Sequence, residues 1–195
     1  NSIRKLLAEI SFKINKKVPN NIIAVTGTNG KSSIADFYYQ ILDLNNKKVA
    51  SIGTLGIKTR KYKKNLSNTT TDPIRLSKIL NKLKKQNINN VIMEASSHGL
   101  SQNRLDGLLF NTGIFTNLSQ DHLDYHKNTK NYLKAKLYLF KKLIKKGGNI
   151  ITDEKLPEFK KIKDIASNKN LNLFSLFEKK NNFQFLSHQY EGEYQ

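Results

Sequence analysis

Short apolar runs alternate along this chain with longer segments whose apolar residues recur at helical spacing. The apolar runs are IIAVT (22–26), KVASIGT (48–54), NVIMEAS (90–96), TGIFTN (112–117) and NIIT (149–152), and the helical segments cover 2–14, 31–44, 72–86 and 128–146. Strands that alternate with helices form β-α-β units with parallel strands. The pattern predicts an α/β fold with a mainly parallel sheet and helices on both faces.

Local signals mark some of the element boundaries. Asp72 is the predicted N-cap of a helix with Pro73 at its first position. The pair Gly147-Gly148 is expected to end the helix of 128–146. The pattern weakens after about residue 165, where NLFSL (172–176) and FQFLS (183–187) could be strands.

The composition narrows the class of protein. The chain has no cysteine, which excludes disulfides and thiolate metal sites. It has no apolar run long enough to span a bilayer and no signal-peptide pattern, so we expect a cytoplasmic protein without membrane insertion. Its net charge of +19 comes mostly from lysines scattered without interleaved aromatics. We interpret these lysines as solvated surface charge and expect no nucleic acid partner.

The segment VTGTNGKSS (25–33) follows the first predicted strand and opens a helix. Its two glycines would let backbone N–H groups approach a polyphosphate, and the helix N-terminus would add a favourable dipole. Lys31 would reach the β- and γ-phosphates, and the Ser32 hydroxyl would suit Mg²⁺. Val25 stands where a standard P-loop has its first glycine. An ordinary glycine turn that opens a helix remains the alternative.

Segments rich in ionisable and hydroxyl side chains also lie at the ends of the strands at 90–96 and 112–117. Ligands of open parallel sheets bind beyond such strand ends. Glu94 ends an apolar strand, where Mg²⁺, a lysine salt bridge or capping of the next turn would offset its burial. His122 lies between Asp121 and Asp124, which could orient its imidazole, although Asp121 could equally be an N-cap. Arg104 could clamp an anion. The segment NTTTD (68–72) could cap a helix or bind a sugar or phosphate.

Five segments in order, VTGTNGKSS, SIGTLGI, NTTTDP, MEASSHGLSQNR and GIFTNLSQDHLDYH, resemble the central ATP-binding domain of the Mur ligases. The resemblance runs from about residue 2 to about residue 155 and is greatest to the UDP-N-acetylmuramoyl-tripeptide synthetase type. It implies a P-loop-like α/β domain of an ATP- and Mg²⁺-dependent ligase. Such an enzyme joins a diamino acid, diaminopimelate or lysine, to UDP-MurNAc-L-Ala-D-Glu through an acyl phosphate.

The resemblance also implies roles for individual residues. Those that would bind ATP are Gly27, Thr28, Asn29, Gly30, Lys31, Ser32 and Ser33. Those that would hold the UDP-MurNAc-peptide are Thr69, Thr70, Ser96, Gln102 and Arg104. Those that would bind metal are Ser32, Glu94, His122 and Lys136, the last as a carbamate, and the catalytic set is Lys31, Glu94, His122 and Lys136. From its own context, Lys136 would be interpreted as one more solvated lysine.

The chain departs mildly from the family pattern, with Gln120 where arginine is frequent and Ser33 where threonine is common. We expect 1–20 to be the end of an N-terminal domain with a linker, and 21–195 a central domain without its distal part. We therefore expect a monomeric fragment of a longer protein that is inactive alone. The alternatives are a related ligase of the Mur or folylpolyglutamate type that adds another amino acid and, more distantly, a basic nucleic-acid-binding protein.

Overall fold

The computed structural model describes residues 3–176, which form an eight-stranded sheet flanked by helices. The strands are β1 (Asn21–Thr26), β2 (Val49–Gly53), β3 (Gly56–Thr59), β4 (Lys63–Lys64), β5 (Asn90–Glu94), β6 (Phe110–Phe115), β7 (Ile144–Thr152) and β8 (Asn172–Ser175). The helices are α1 (Ile3–Ile14), α2 (Lys31–Leu44), α3 (Pro73–Lys85), α4 (Ser97–Ser101), α5 (Leu123–His126), α6 (Thr129–Tyr138) and α7 (Phe159–Lys169). A π-helical turn (Leu139–Leu143) joins α6 to β7.

The strands lie in the order β4-β3-β2-β5-β1-β6-β7-β8. Every pairing from β2 across to β8 is parallel. The pairings of β2 with β3 and of β3 with β4 are antiparallel, and β3 and β4 form a short extension beside β2. The predicted mainly parallel sheet is confirmed, and β1 lies near its centre with β5 and β6 as neighbours.

Helices cover both faces of the sheet, as predicted. Successive residues of β1 point to opposite faces, so Ile22 and Ala24 join the larger hydrophobic core while Ile23 and Val25 pack with Ala35 of α2. The larger core lies on the face covered by α3, α6, the π-helical turn and α7, through buried residues that include Leu76, Leu80, Leu137, Phe140 and Ile162.

The start of α3 agrees with the sequence prediction. Asp72 is the N-cap, its Oδ1 accepts a hydrogen bond from the Arg75 backbone N–H at 2.9 Å, and Pro73 occupies the first turn. Leu76, Leu80 and Leu83 recur at helical spacing and are fully buried, which anchors α3 on the sheet. The cap fixes where the preceding threonine-rich segment ends and the helix begins.

The predicted helix of 128–146 is wrong at its C-terminal end. Helix α6 ends at Tyr138, and after the π-helical turn β7 begins at Ile144, so Gly147 and Gly148 lie inside a strand. The π-helical turn still presents buried apolar residues at roughly helical spacing, which is why periodicity alone extended the helix. The glycines allow an irregularity in the ladder, because a Cβ on Gly148 would lie 2.9 Å from the Asn111 carbonyl.

Other elements differ from the sequence prediction in smaller ways. Strands β3 and β4 and helix α7 were not predicted, because β3 and β4 are short and lysine-bearing while α7 lies where the pattern weakens. β8 confirms a strand within NLFSL, whereas FQFLS lies outside the described residues. Among residues 3–176, no helix combines the length and the apolar character needed to cross a membrane.

Candidate active site

A cleft of about 370 Å³ opens at the carboxyl ends of β1, β5 and β2, which are adjacent in the sheet. Its lining residues come from segments far apart in sequence: Thr28, Asn29, Gly30, Lys31, Ser32, Ser33, Thr54, Thr69, Glu94, Ser96, Ser97, His122, Tyr132 and Lys136. The parallel topology places the ends of these strands at one edge of the sheet, where open α/β sheets bind ligands. The predicted phosphate loop, Glu94, His122 and Lys136 therefore share one cleft.

The loop between β1 and α2 is held against the segment after β6. Gly27 has φ 152° and lies so close to Thr116 that an added Cβ would be 1.8 Å from its Oγ1. The Thr116 hydroxyl donates to the Asn29 carbonyl at 2.6 Å, and the Asn29 N–H donates to Asn117 Oδ1 at 2.9 Å. Gly30 at φ 83° is the N-cap of α2, so the helix begins directly at Lys31. The loop is thus pre-shaped at a helix N-terminus.

Lys31 folds back over its own loop. Its ammonium donates to the carbonyls of Thr28 at 2.7 Å and Gly27 at 3.0 Å. Burial lowers the pKa of Lys31, and the negative charges of Glu94 and Asp121 partly oppose that shift. The cation thus lies within the loop whose backbone N–H groups would face a phosphate.

Glu94 places a carboxylate in the cleft floor with only 2% of its surface exposed. Ser32 Oγ donates to its Oε2 at 2.9 Å, and the backbone N–H of Thr54 donates to Oε1 at 2.8 Å. A Cβ on Gly53 would lie 2.1 Å from Oε1, so the glycine that ends β2 makes room for this carboxylate. Within residues 3–176 no lysine or arginine forms an ion pair with Glu94, so its charge is held by neutral donors.

Four of the five residues expected to hold the UDP-MurNAc-peptide are linked by hydrogen bonds at the cleft: Thr70, Ser96, Gln102 and Arg104. Thr70 Oγ1 donates to the Glu94 carbonyl and accepts from the Ser96 N–H, both at 2.9 Å. Arg104 Nη1 donates to the Thr70 carbonyl at 2.6 Å, and its Nη2 donates to Gln102 Oε1, also at 2.6 Å. Gln102 and Arg104 do not line the cleft itself, but Thr70 connects them to its floor.

His122 enters the cleft from the segment after β6. Its backbone is left-handed at φ 52°, its N–H donates to Asp121 Oδ1 at 2.8 Å, and its Nε2 lies 3.4 Å from Asp121 Oδ2. Helix α5 begins at Leu123 with His122 as its N-cap, so the alternative in which Asp121 caps this helix is wrong. The Asp121 carboxylate instead lies beside the imidazole and accepts the His122 backbone N–H.

Aromatic rings pack around His122. The ring of His98 lies 4.8 Å from that of His122, 4.2 Å from that of Tyr125 and 5.5 Å from that of His126. Burial lowers the pKa of both His98 and His126. The His122 ring itself packs against that of His98 and lies 6.2 Å from that of Tyr132.

Lys136 is only 1% exposed and is not the solvated surface lysine that its sequence context favours. Its Nζ donates to the Gly27 carbonyl at 2.6 Å and lies 4.2 Å from the centroid of the Tyr132 ring. Burial, with a smaller contribution from the Lys31 cation, lowers the pKa of Lys136 to about 7. A large share of this amine is therefore neutral near neutral pH.

The family model of the Mur ligase middle domain matches residues 25–194. The chain belongs to this family. It is 45% identical over 166 residues to the UDP-N-acetylmuramoyl-L-alanyl-D-glutamate–2,6-diaminopimelate ligase of Rickettsia bellii, a match that covers 83% of this chain and 35% of that protein. The ligase of the same name from Wigglesworthia glossinidia brevipalpis is 47% identical over 139 residues, which cover 70% of this chain and 28% of that protein. The chain thus spans about a third of the length of these curated relatives.

A solved structure of a UDP-N-acetylmuramoyl-L-alanyl-D-glutamate–2,6-diaminopimelate ligase has a similar fold. Its TM-score is 0.77 at 28% sequence identity, and the match covers 91% of this chain and 37% of that chain. This Mur ligase middle domain therefore shares with it the arrangement of sheet, helices and strand ends described above.

The donor set at the cleft floor of this Mur ligase domain fits a magnesium ion beside a nucleotide. No group of three or more histidine, cysteine, aspartate or glutamate side chains within residues 3–176 is placed to hold a metal. Mg²⁺ does not need one, since it commonly binds through one or two carboxylates together with substrate phosphates and water. Glu94, unpaired by any cation in the described part of the chain, and the Ser32 hydroxyl beside it provide such a partial shell.

The structure adds site residues that the sequence reasoning missed. Thr54 follows β2 and lines the cleft through the SIGTLGI segment, and Tyr132 of α6 lines it next to Lys136. Tyr132 also places its hydroxyl 3.3 Å from Thr28 Oγ1. Thr54 could have been predicted as a site residue from its position at a strand end. Tyr132 lies within a helix, where nothing in the sequence distinguishes it from a core residue.

Proposed function

We propose that this domain is the ATP-binding part of a longer ligase that joins diaminopimelate to UDP-MurNAc-L-Ala-D-Glu. One observation supports this proposal above all. The phosphate loop, the buried Glu94 carboxylate and the hydrogen-bonded residues from Thr70 to Arg104 all lie at one cleft. The family and the names of the relatives support ligation, and those names favour diaminopimelate over lysine. Residues 1–20 are the end of a preceding domain in this proposal.

In the proposed reaction, the backbone of the phosphate loop holds ATP. The α2 N-terminus and the loop N–H groups face its phosphates, and Lys31 moves from the Gly27 and Thr28 carbonyls onto the β- and γ-phosphates. Ser32 and Glu94 would hold Mg²⁺, with His122 and Lys136 as further candidate ligands. When bound, Mg²⁺ would supply positive charge that offsets the negative charge of the phosphates.

Two displacements complete the ligation. An oxygen of the terminal substrate carboxylate bonds to the γ-phosphorus while the bond to the β,γ-bridging oxygen breaks, which gives an acyl phosphate and ADP. The diaminopimelate amine then bonds to the acyl carbon, the carbon–oxygen bond to phosphate breaks, and the amine loses a proton. Thr69, Thr70, Ser96, Gln102 and Arg104 hold the substrate so that its carboxylate faces the γ-phosphate.

Lys136 acts in this proposal as a carbamate rather than as a cation. A second lysine cation beside Lys31 would repel Mg²⁺, whereas a carbamate supplies an anionic oxygen suited to a hard metal. Carbamylation needs a neutral amine, and the pKa of about 7 that burial gives Lys136 supplies one near neutral pH. The Tyr132 ring and the Gly27 carbonyl already fix the position of the side chain.

The choice of amine is the sharpest test of this function. The full-length protein is given ATP, Mg²⁺, UDP-MurNAc-L-Ala-D-Glu and either meso-diaminopimelate or L-lysine, and phosphate release is measured. We expect kcat/KM for diaminopimelate to exceed that for lysine by at least about a hundredfold, because a site built to bind a second carboxylate leaves its polar groups unpaired with lysine. Phosphate release only with lysine would overturn the assignment of the amine, and none with either would overturn ligation.

A further inference from the structure

Thr54 lies between the two halves of the cleft, next to Glu94 on one side and Thr69 on the other. Its Oγ1 donates to Glu94 Oε2 at 3.2 Å and lies 3.0 Å from Thr69 Oγ1. Its backbone N–H donates to Glu94 Oε1 at 2.8 Å. The same residue thus contacts the proposed metal carboxylate and a residue proposed to bind the UDP-MurNAc-peptide.

The direction of these hydrogen bonds follows from counting protons. A hydroxyl has one proton to donate, and a carboxylate has none. Thr54 gives its proton to Glu94, so in the contact with Thr69 it can only accept. Thr69 must therefore donate its own proton to Thr54.

As a consequence, the Thr69 hydroxyl can act toward a ligand only as a hydrogen-bond acceptor. With its proton committed to Thr54, the half-buried Thr69 hydroxyl can offer the cleft only its lone pairs. Such an acceptor matches an N–H or O–H of the ligand, such as an amide or a sugar hydroxyl. It does not match a phosphate oxygen, which also accepts.

The Glu94 carboxylate, which accepts the Thr54 proton, is held firmly in place. Glu94 is 2% exposed and is seated where Gly53 leaves no Cβ, and the Thr54 N–H holds its other oxygen. The carboxylate therefore keeps its place as the acceptor that orients Thr54. Removal of the Thr54 hydroxyl alone would release Thr69 while the backbone bond to Glu94 remains.

We propose that Thr54 is a positioning residue for Thr69. Because Thr54 donates its proton to Glu94, it accepts the proton of Thr69, and the Thr69 oxygen is left to accept from an N–H or O–H group of the UDP-MurNAc-peptide. This inference rests on the proposed function, since it concerns the substrate side of the same cleft. It narrows the earlier choice between sugar and phosphate recognition at NTTTD to the donor groups of the sugar-peptide.

The test compares Thr54→Val, which keeps the shape and the backbone N–H, with Thr54→Ser, which keeps the hydroxyl. Binding of UDP-MurNAc-L-Ala-D-Glu to the full-length protein is measured by calorimetry without ATP or Mg²⁺, and KM values for ATP and for the sugar-dipeptide are measured separately. Thr54→Val should weaken sugar-dipeptide binding about five- to tenfold and raise its KM more than that of ATP. Thr54→Ser should restore both to within about twofold of wild type.

Thr59→Val is the matched control, because the hydroxyl of Thr59, the last residue of β3, donates to the Tyr62 carbonyl and lies away from the cleft. This variant should bind the sugar-dipeptide like wild type. Wild-type binding by Thr54→Val, or equally weak binding by Thr54→Ser and Thr54→Val, would overturn the inference alone. Failure of the wild-type protein to bind the sugar-dipeptide would overturn the proposed function and this inference with it.

Discussion

At the scale of single residues, burial separates Lys136 from the other lysines of this lysine-rich chain. Its position on α6 gives no sign of this in sequence, because the neighbouring lysines on the same helix, such as Lys130 and Lys134, are exposed. Only the packing of α6 against the loop brings its Nζ to the Gly27 carbonyl. The family resemblance, not the local pattern, was what singled it out.

The carbamylation of Lys136 is testable at this scale. With a pKa of about 7, roughly three quarters of the amine is neutral at about pH 7.5, against roughly a thousandth for an ordinary lysine. We expect isotope-labelled bicarbonate to give a carbamate NMR signal that rises from about pH 6 to about pH 8 and then levels off. Lys136→Arg should lose this signal.

Lys134→Arg is the matched control, since Lys134 is an exposed lysine on the same helix, and it should keep the signal. A signal that persists in Lys136→Arg, or one that appears only near the ordinary lysine pKa, would contradict the carbamate. Lys31 would then be the remaining candidate for the low-pKa amine, because burial lowers its pKa as well.

At the scale of elements, the sequence predicted the helices and strands in which apolar residues recur at regular spacing and a capping residue, proline or glycine marks a boundary. Helix α3 is such a case, because Asp72 and Pro73 mark its start and three buried leucines mark its face. The change from α6 to β7 was missed, because the π-helical turn continues the apolar spacing and the glycines lie in a strand instead of after a helix. Periodicity cannot show where a helix stops when the chain stays buried.

The cap of α3 provides a quantitative prediction. Asp72→Ala removes the acceptor of the Arg75 N–H and should lower the free energy of unfolding by about 1 kcal/mol. Urea unfolding of the chain would measure the change. Asp164→Ala, at an exposed position of α7, should change it by less than about 0.5 kcal/mol. Equal stability of Asp72→Ala and wild type would show that the cap does not hold this helix.

At the scale of the whole molecule, the parallel sheet explains why the site could be anticipated from sequence. Adjacent β2, β5 and β1 end at one edge, so Glu94 and Ser32 of the phosphate loop meet although they lie far apart in the sequence. The sequence could place residues at strand ends, but it could not show that β2 neighbours β5. That adjacency is what brings Thr54 onto Glu94, so this contact was beyond sequence reasoning.

The cleft built on Glu94 is, in the proposed function, the ligase site for a nucleotide and a metal. Glu94→Gln in the full-length protein keeps the side-chain volume but removes the charge, and phosphate release with all substrates measures the result. We expect at least about a hundredfold loss of kcat with an unchanged unfolding midpoint, while Glu9→Gln, on α1, keeps the wild-type rate. A Glu94→Gln enzyme that retains more than about a third of the wild-type kcat would contradict the account.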